Sequence, residues 1–238
     1  MLRSSADSRF AALTPGGIRM SIRWSRLGSL SGILFVLLVI ASNAVGGGFP
    51  ENAESPTKVI AFYQAHKTGQ QLSASITAAA VVVGLYFFGC LRAYLRRAAV
   101  ADDILAIAFA GAVLFGAAGC VNAGLQWSLA AVPDKLTPEA AQALNVLGKD
   151  NLATGFFGAG LATLMLFYGI AMLRTRLLPA WLGWVSIVFG ILSLAGPLVF
   201  LVFTMTAPWA ISVSVLLYRR FDDLPSESKN VAEAGPPN

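Results

Sequence analysis

Five long stretches of this chain contain no Asp, Glu, Lys, Arg or His: 27–50, 68–91, 104–133, 151–173 and 177–218. One transmembrane helix takes about 20 apolar residues. Four of the stretches therefore suit one crossing each, and the last, about twice that length, suits two. A charge at the centre of such a helix costs about 2.5–3.5 kcal/mol even on permissive insertion scales, so uninterrupted runs of this kind leave few alternatives to a membrane. The expected fold is all-α, an integral six-helix transmembrane bundle, with spans about 27–46, 72–91, 104–128, 151–173, 180–197 and 198–218. Gly196-Pro197 divides the longest stretch, because proline ends or kinks a helix, and Pro208 is expected to kink the sixth span. A composition that is 56% hydrophobic and 12% charged agrees, since soluble domains carry about twice that charge.

The charges that remain set an orientation. With residues 1–26 as a basic cytoplasmic segment, the inner segments are 1–26, 92–103, 174–179 and the tail 219–238. They hold all 12 arginines and Lys229, which is 13 of the 17 basic residues. The outer loops hold Lys58, Lys67, Lys135 and Lys149, balanced by Glu51, Glu54, Asp134, Glu139 and Asp150. This is the positive-inside pattern, and it places the six-span domain 27–218 in a bacterial cytoplasmic membrane with both termini inside. The net charge of +5 does not point to nucleic acid, because it is spread over several segments rather than gathered on one face. Arg3 to Arg26, followed by an apolar run that ends at Ser42-Asn43-Ala44, is also the outline of a signal peptide. The run from Leu27 to Val45 is longer than a signal core, which favours an uncleaved first span. Met1 and Met20 are both candidate starts. Trp24, Trp127, Trp181 and Trp184 are expected at the headgroup layer, whereas Trp209 falls in mid-span.

Both long outer loops predict a short amphipathic helix. Ser55-Pro56 and Thr137-Pro138 each read as an N-cap followed by proline at the first helical position. Apolar residues then recur at helical spacing, as Val59, Ile60, Phe62 and Tyr63 before His66, and as Ala140, Ala143, Leu144 and Leu147. When the chain is slid along itself until Ser55-Pro56 falls on Thr137-Pro138, Lys67 also falls on Lys149, Tyr86 on Tyr168 and Leu91-Arg92 on Leu173-Arg174. A slightly shorter shift sets Gly32 on Gly111 and Asn43-Ala44 on Asn122-Ala123. Spans one–two and three–four therefore read as a duplicated helical hairpin, a parallel repeat.

Candidate site residues are few. Ala108, Ala112, Gly116, Cys120 and Gly124 form a small-residue stripe at four-residue spacing in span three. Such stripes let helices approach closely, either within the bundle or between copies of the chain. Asn43, Asn122, Gln126 and Asn151 fall toward the outer ends of spans one, three and four. Amides in lipid need partners, so they form an interhelical cluster or line a shallow pocket closed by the helix of Tyr63 and His66. His66 is the only histidine, with no ligand set around it, and Cys90 and Cys120 read as small apolar fillers. Gly46-Gly47-Gly48 leaves a helix rather than opening one, so it is no phosphate loop. No catalytic, cofactor-binding or metal-ligating set is expected, and no cofactor is implied.

The segment Leu178-Pro179-Ala180-Trp181-Leu182-Gly183-Trp184, after the arginine pair Arg174 and Arg176, resembles the start of the fifth helix in uncharacterised bacterial six-helix inner-membrane proteins of domain-of-unknown-function type. The phrase Ile60-Ala61-Phe62-Tyr63-Gln64-Ala65-His66 is similar to their first outer loop. The resemblance implies a membrane protein of this size and brings no activity or site residue. The expected role is non-enzymatic: binding of another membrane component, with membrane lipid, a membrane protein or a second copy of the chain as partner and no nucleic acid. The alternative is a carrier or permease for a small neutral or lipophilic solute.

Overall fold

The structure, a computed structural model, describes residues 15–48, 50, 55–98, 102–148 and 153–222. Regular structure among them is helical throughout, with no strand. The helices are α1 (Pro15–Gly46), α2 (Pro56–Ala65), α3 (Lys67–Leu95), α4 (Asp102–Ala131), α5 (Pro138–Val146), α6 (Gly158–Thr175), α7 (Ala180–Leu192) and α8 (Val199–Asp222). A π-helical turn, Ala153–Phe157, leads into α6. Five segments are long and apolar enough to cross a membrane: Gly28–Gly46, Lys67–Ala98, Asp102–Ala131, Gly155–Thr175 and Val199–Arg220. The segment expected as a span at 180–197 is shorter. α7 has 13 residues, about 20 Å at 1.5 Å per residue, after which the chain turns through a 3₁₀ segment at Gly196–Leu198.

Local chemistry accounts for the helix ends. α1 stops at Gly46 because Gly47 and Gly48 take left-handed φ values of 69° and 86°, where a side chain would be strained. Thr137 caps α5, its hydroxyl accepting from the Ala140 N–H at 3.3 Å. Ser55 precedes α2 in an extended conformation and makes no side-chain cap bond. Only His66 separates α2 from α3, so the second long helix begins before the expected position 72. Pro208 lies inside α8 without ending it. Proline cannot donate to the Thr204 carbonyl, and the Ser212 hydroxyl donates to the Pro208 carbonyl at 2.8 Å.

α1 packs along α3, α3 along α4, α4 along α6, α6 along α7, and α8 closes back on α1. Glycine sets the closest approaches. A Cβ at Gly111 would lie 2.5 Å from the Leu164 nitrogen, and one at Gly160 would lie 2.5 Å from the Phe115 nitrogen. Backbone therefore lies on backbone between α4 and α6, as small residues permit in lipid. Gly169 and Gly183 do the same between α6 and α7. The main core gathers Phe87, Leu91, Leu105, Leu164, Met165 and Leu217, among others, at the helix junctions. Trp209, expected to be awkward in mid-span, is buried and donates its indole N–H to the Ser186 hydroxyl at 2.8 Å. Tyr168 is buried and donates to the Phe88 carbonyl at 2.7 Å, whereas Tyr86, its counterpart in the repeat, is exposed. Trp127, Trp181 and Trp184 are exposed.

The span-three stripe only partly faces neighbours. Ala108, Ala112 and Gly116 are buried, but Cys120 and Gly124 are exposed. A four-residue step advances a helix by about 40° beyond a full turn, so five such positions sweep about 160° of its surface. The last two members of the stripe therefore rotate off the interface, and Gly111 and Gly160 bring α4 and α6 together instead. Gly160→Ala is expected to lower the thermal unfolding midpoint in detergent, at the roughly 1–3 kcal/mol of an overpacked contact. Gly124→Ala, where a Cβ meets nothing within 4 Å, is expected to leave the midpoint unchanged or raise it.

Candidate functional site: a neutral cavity between α1, α4 and α8

A cavity of about 580 Å³ lies in the half of the bundle where α1 ends and α8 begins. That volume falls within the range of small-molecule sites, about 300–1,000 Å³. α1 contributes one wall, including Phe35, Val36, Val39 and Ile40. α4 contributes Ala118 to Leu129, and α8 contributes Phe200, Phe203 and Ala207. Phe157 and Phe203 meet edge to face, with ring centroids 5.2 Å apart. The roof is made by Tyr63 of α2 with Leu144 and Asn145 of α5. Among the described residues, no Asp, Glu, Lys, Arg or His lines the cavity.

Polar side chains gather at the roof end. Gln70 is fully buried, and its Nε2 donates to the Gly46 carbonyl at 2.6 Å and the Gly48 carbonyl at 3.0 Å. It thereby satisfies carbonyls left open where α1 terminates. Gln126 donates to Gln70 Oε1 at 2.5 Å and to the Ser73 hydroxyl at 3.2 Å. Ser42 Oγ lies 3.0 Å from Ser73 Oγ and 2.7 Å from Thr77 Oγ1. A connected network thus ties α1, α3 and α4 together beside the cavity. Buried hydrogen-bond chains of this kind hold a fixed arrangement where no water competes.

α2 and α5 pack on each other around Val59, Tyr63, Ala141, Leu129 and Ala130. The Tyr63 hydroxyl donates to Asn145 Oδ1 at 3.2 Å. Burial pushes the Tyr63 phenol up to about 12, because its anion would lose solvation. It therefore stays a neutral hydroxyl through the physiological range.

The expected site residues separate. Asn122, Gln126, Tyr63 and Asn43 line the cavity. Asn43 is exposed and turns its amide back to the Val39 carbonyl at 2.8 Å, within its own helix. Asn151 lies outside the described residues. His66 is exposed at the junction of α2 and α3, with its ring stacked on Phe62 and Nδ1 3.0 Å from the Phe62 carbonyl. It is not part of the cavity lining. Of the four amides expected to cluster, Gln126 joins the network, and its partners are Gln70 and Ser73. These had a readable signal, since Gln70, Ser73 and Thr77 recur at helical spacing in an apolar stretch. Asn145 is the counterpart of Tyr63 under the shift that sets Pro56 on Pro138, which is already visible in the sequence. Among the described residues, no three His, Cys, Asp or Glu side chains are grouped so as to hold a metal ion.

No protein-family model, curated protein or solved structure matches this chain. The reading of the cavity therefore rests on its geometry and chemistry.

The Tyr63 environment has a measurable consequence. Unfolded tyrosine ionises near pH 10, while the folded phenol keeps its proton to about 12. Between those values the native state binds the extra proton, so stability falls as pH rises, and the contribution is intact below pH 10. Tyr63→Phe is expected to flatten the loss of thermal stability between about pH 10 and 12 relative to the parent, as followed by circular dichroism in detergent.

Proposed function

We propose that this chain is a six-crossing protein of a bacterial cytoplasmic membrane, with both termini cytoplasmic, that binds a neutral lipophilic component of its own bilayer. The observation that carries the reading is the cavity. It is large enough for a ligand, walled by α1, α4 and α8 with apolar side chains, and the polar groups that furnish one end are, among the described residues, uncharged. A charged ligand would leave water without a counter-charge, which is costly in a low-dielectric site.

Two further observations support the topology. Arg176, just past α6, and Arg220, near the end of α8, line one shallow cleft, so both helices finish at the same face. α8 begins beside the cavity, at Phe200, in the opposite half. This placement of Arg176 and Phe200 supports a sixth crossing, made by α7 with the turn after it. The face bearing Arg176 and Arg220 is the cytoplasmic one by the positive-inside rule.

The duplicated hairpin belongs to the same proposal. α2 and α5 begin at Pro56 and Pro138, the two prolines that the repeat superposes. Their buried residues are Val59 and Tyr63 in one and Ala141 and Asn145 in the other, the same positions under that superposition. The Tyr63–Asn145 bond joins equivalent positions, as contacts near an axis relating two copies do.

A second reading, a carrier for a small neutral solute, draws on the lining of the cavity by both copies of the hairpin, the place where repeat-built transporters hold substrate. Uptake of a neutral solute into vesicles that Asn122→Ala abolishes would favour it.

Native mass spectrometry of the chain extracted in its own lipid tests the leading reading. The expected result is a reproducible neutral lipophile bound to the parent and lost in Ala207→Trp, a cavity-filling variant whose helicity and elution are retained. Only exchangeable bulk phospholipid on both proteins would overturn it. A reporter fused after Asn238 is expected to read as cytoplasmic, and export of that reporter would reverse the orientation.

A further inference from the structure

Asn145 carries more hydrogen-bonding capacity than its surroundings use. It is 3% exposed, on the face of α5 that packs against α2 and lines the cavity. Its Oδ1 accepts from Tyr63, but its Nδ2 is buried and finds no partner among the described residues. The imbalance does not depend on which way the amide is placed. The phenol and the amide bring three donor hydrogens between them, and the single bond that joins them uses one. Exchanging the amide oxygen and nitrogen leaves two donor hydrogens unspent in either arrangement. Buried donors are almost always satisfied, and leaving one open costs the whole desolvation of that group. The buried network beside it does find partners: Gln70, Gln126, Ser73 and Ser42 all bond to one another or to backbone. Asn145 is among the residues that line the cavity.

We propose that Asn145 selects the occupant of the cavity by donating its side-chain amide to a carbonyl-type oxygen on the head of a neutral acyl lipid, whose chain lies against α1 and α8. This rests on the lipid-binding reading above and names the group that would give it specificity. The donor calls for an acceptor on the ligand. The absence of charged side chains from the described lining calls for a neutral head. Away from the roof the walls turn apolar, at Val36, Val39, Ile40, Phe200 and Phe203, so the rest of the ligand is hydrocarbon. Tyr63 is a positioning residue: its hydroxyl holds Asn145 Oδ1 and so directs the amide N–H groups elsewhere.

Two probes of matched chain separate the ideas: methyl palmitate, which carries the acceptor, and hexadecane, which does not. For the full chain in a neutral detergent, both are expected to raise the thermal unfolding midpoint. The ester should bind about 3- to 10-fold tighter, the gain of one net hydrogen bond. Asn145→Leu should abolish the preference and keep the response to hexadecane. In the parent protein, the infrared carbonyl band of isotopically labelled methyl palmitate should move to lower frequency than in detergent alone, and this needs no variant to fold. Equal affinity for the two probes together with an unshifted carbonyl band would overturn the role of Asn145, with water the remaining partner for its amide, and would leave the lipid-binding reading standing. No response to either probe, with no lipophile retained on extraction, would instead remove the lipid-binding reading itself.

Discussion

Lipid gives helices no hydrophobic reward for touching one another, because acyl chains are as apolar as leucine. The bundle therefore depends on how closely its backbones approach. At Gly111 and Gly160 a single added carbon would strike the main chain of the opposite helix, so α4 and α6 lie backbone against backbone. α6 and α7 use Gly169 and Gly183 in the same way. α1 lies on α3 through Gly28 against Cys90 and Gly32 against Phe87, and on α8 where Gly32 also meets Ser214. From these contacts follow the narrow interfaces, the burial of Tyr168 and Trp209, and the short polar bonds that complete them.

The two ends of the bundle have different chemistry, and the difference organises the functional reading. One end carries arginines. Arg92 and Arg96 both reach Asp102, at 3.4 and 3.2 Å, across the short connection between α3 and α4. These pairs are largely exposed and contribute little stability, so their value is positional. At the other end every polar group described as lining the cavity is neutral, and amides and hydroxyls join there. A neutral polar network beside an apolar cavity suits a ligand that arrives from the bilayer and is oriented by hydrogen bonds. The cavity exists because α2 and α5 lie against each other over it rather than filling it.

Much of the helical architecture was legible in the residues. The charge-free stretches mark the five long helices, and Gly196-Pro197 marks the turn before α8. The proline pairs mark the starts of α2 and α5. The length of α7 was not legible, because an apolar stretch records hydropathy and not where the helix within it stops. The site was read only in outline. Asn122, Gln126 and Tyr63, polar residues toward the outer ends of the helices, line the cavity. Asn43 looked equivalent to Asn122 under the repeat, yet it bonds within its own helix. Gln70 and Asn145 carry a sequence signal, in helical spacing and in the repeat, but that signal does not name their partners.

The sequence by itself determined which segments are helices apolar enough for a bilayer, where the cationic groups cluster, and that no charge interrupts the long apolar runs. These follow from transfer free energies and helix geometry, which act on each segment separately. Tertiary structure alone decided which polar residues meet. Gln70 meets Gln126 across 56 positions of chain and Tyr63 meets Asn145 across 82. Only the packing of α5 on α2 buries the Asn145 amide beside the cavity lining, with no partner for its Nδ2 among the described residues. The physical reason is that hydrogen bonds act over about 3 Å, so they depend on the relative rotation and depth of whole helices, which no local pattern encodes.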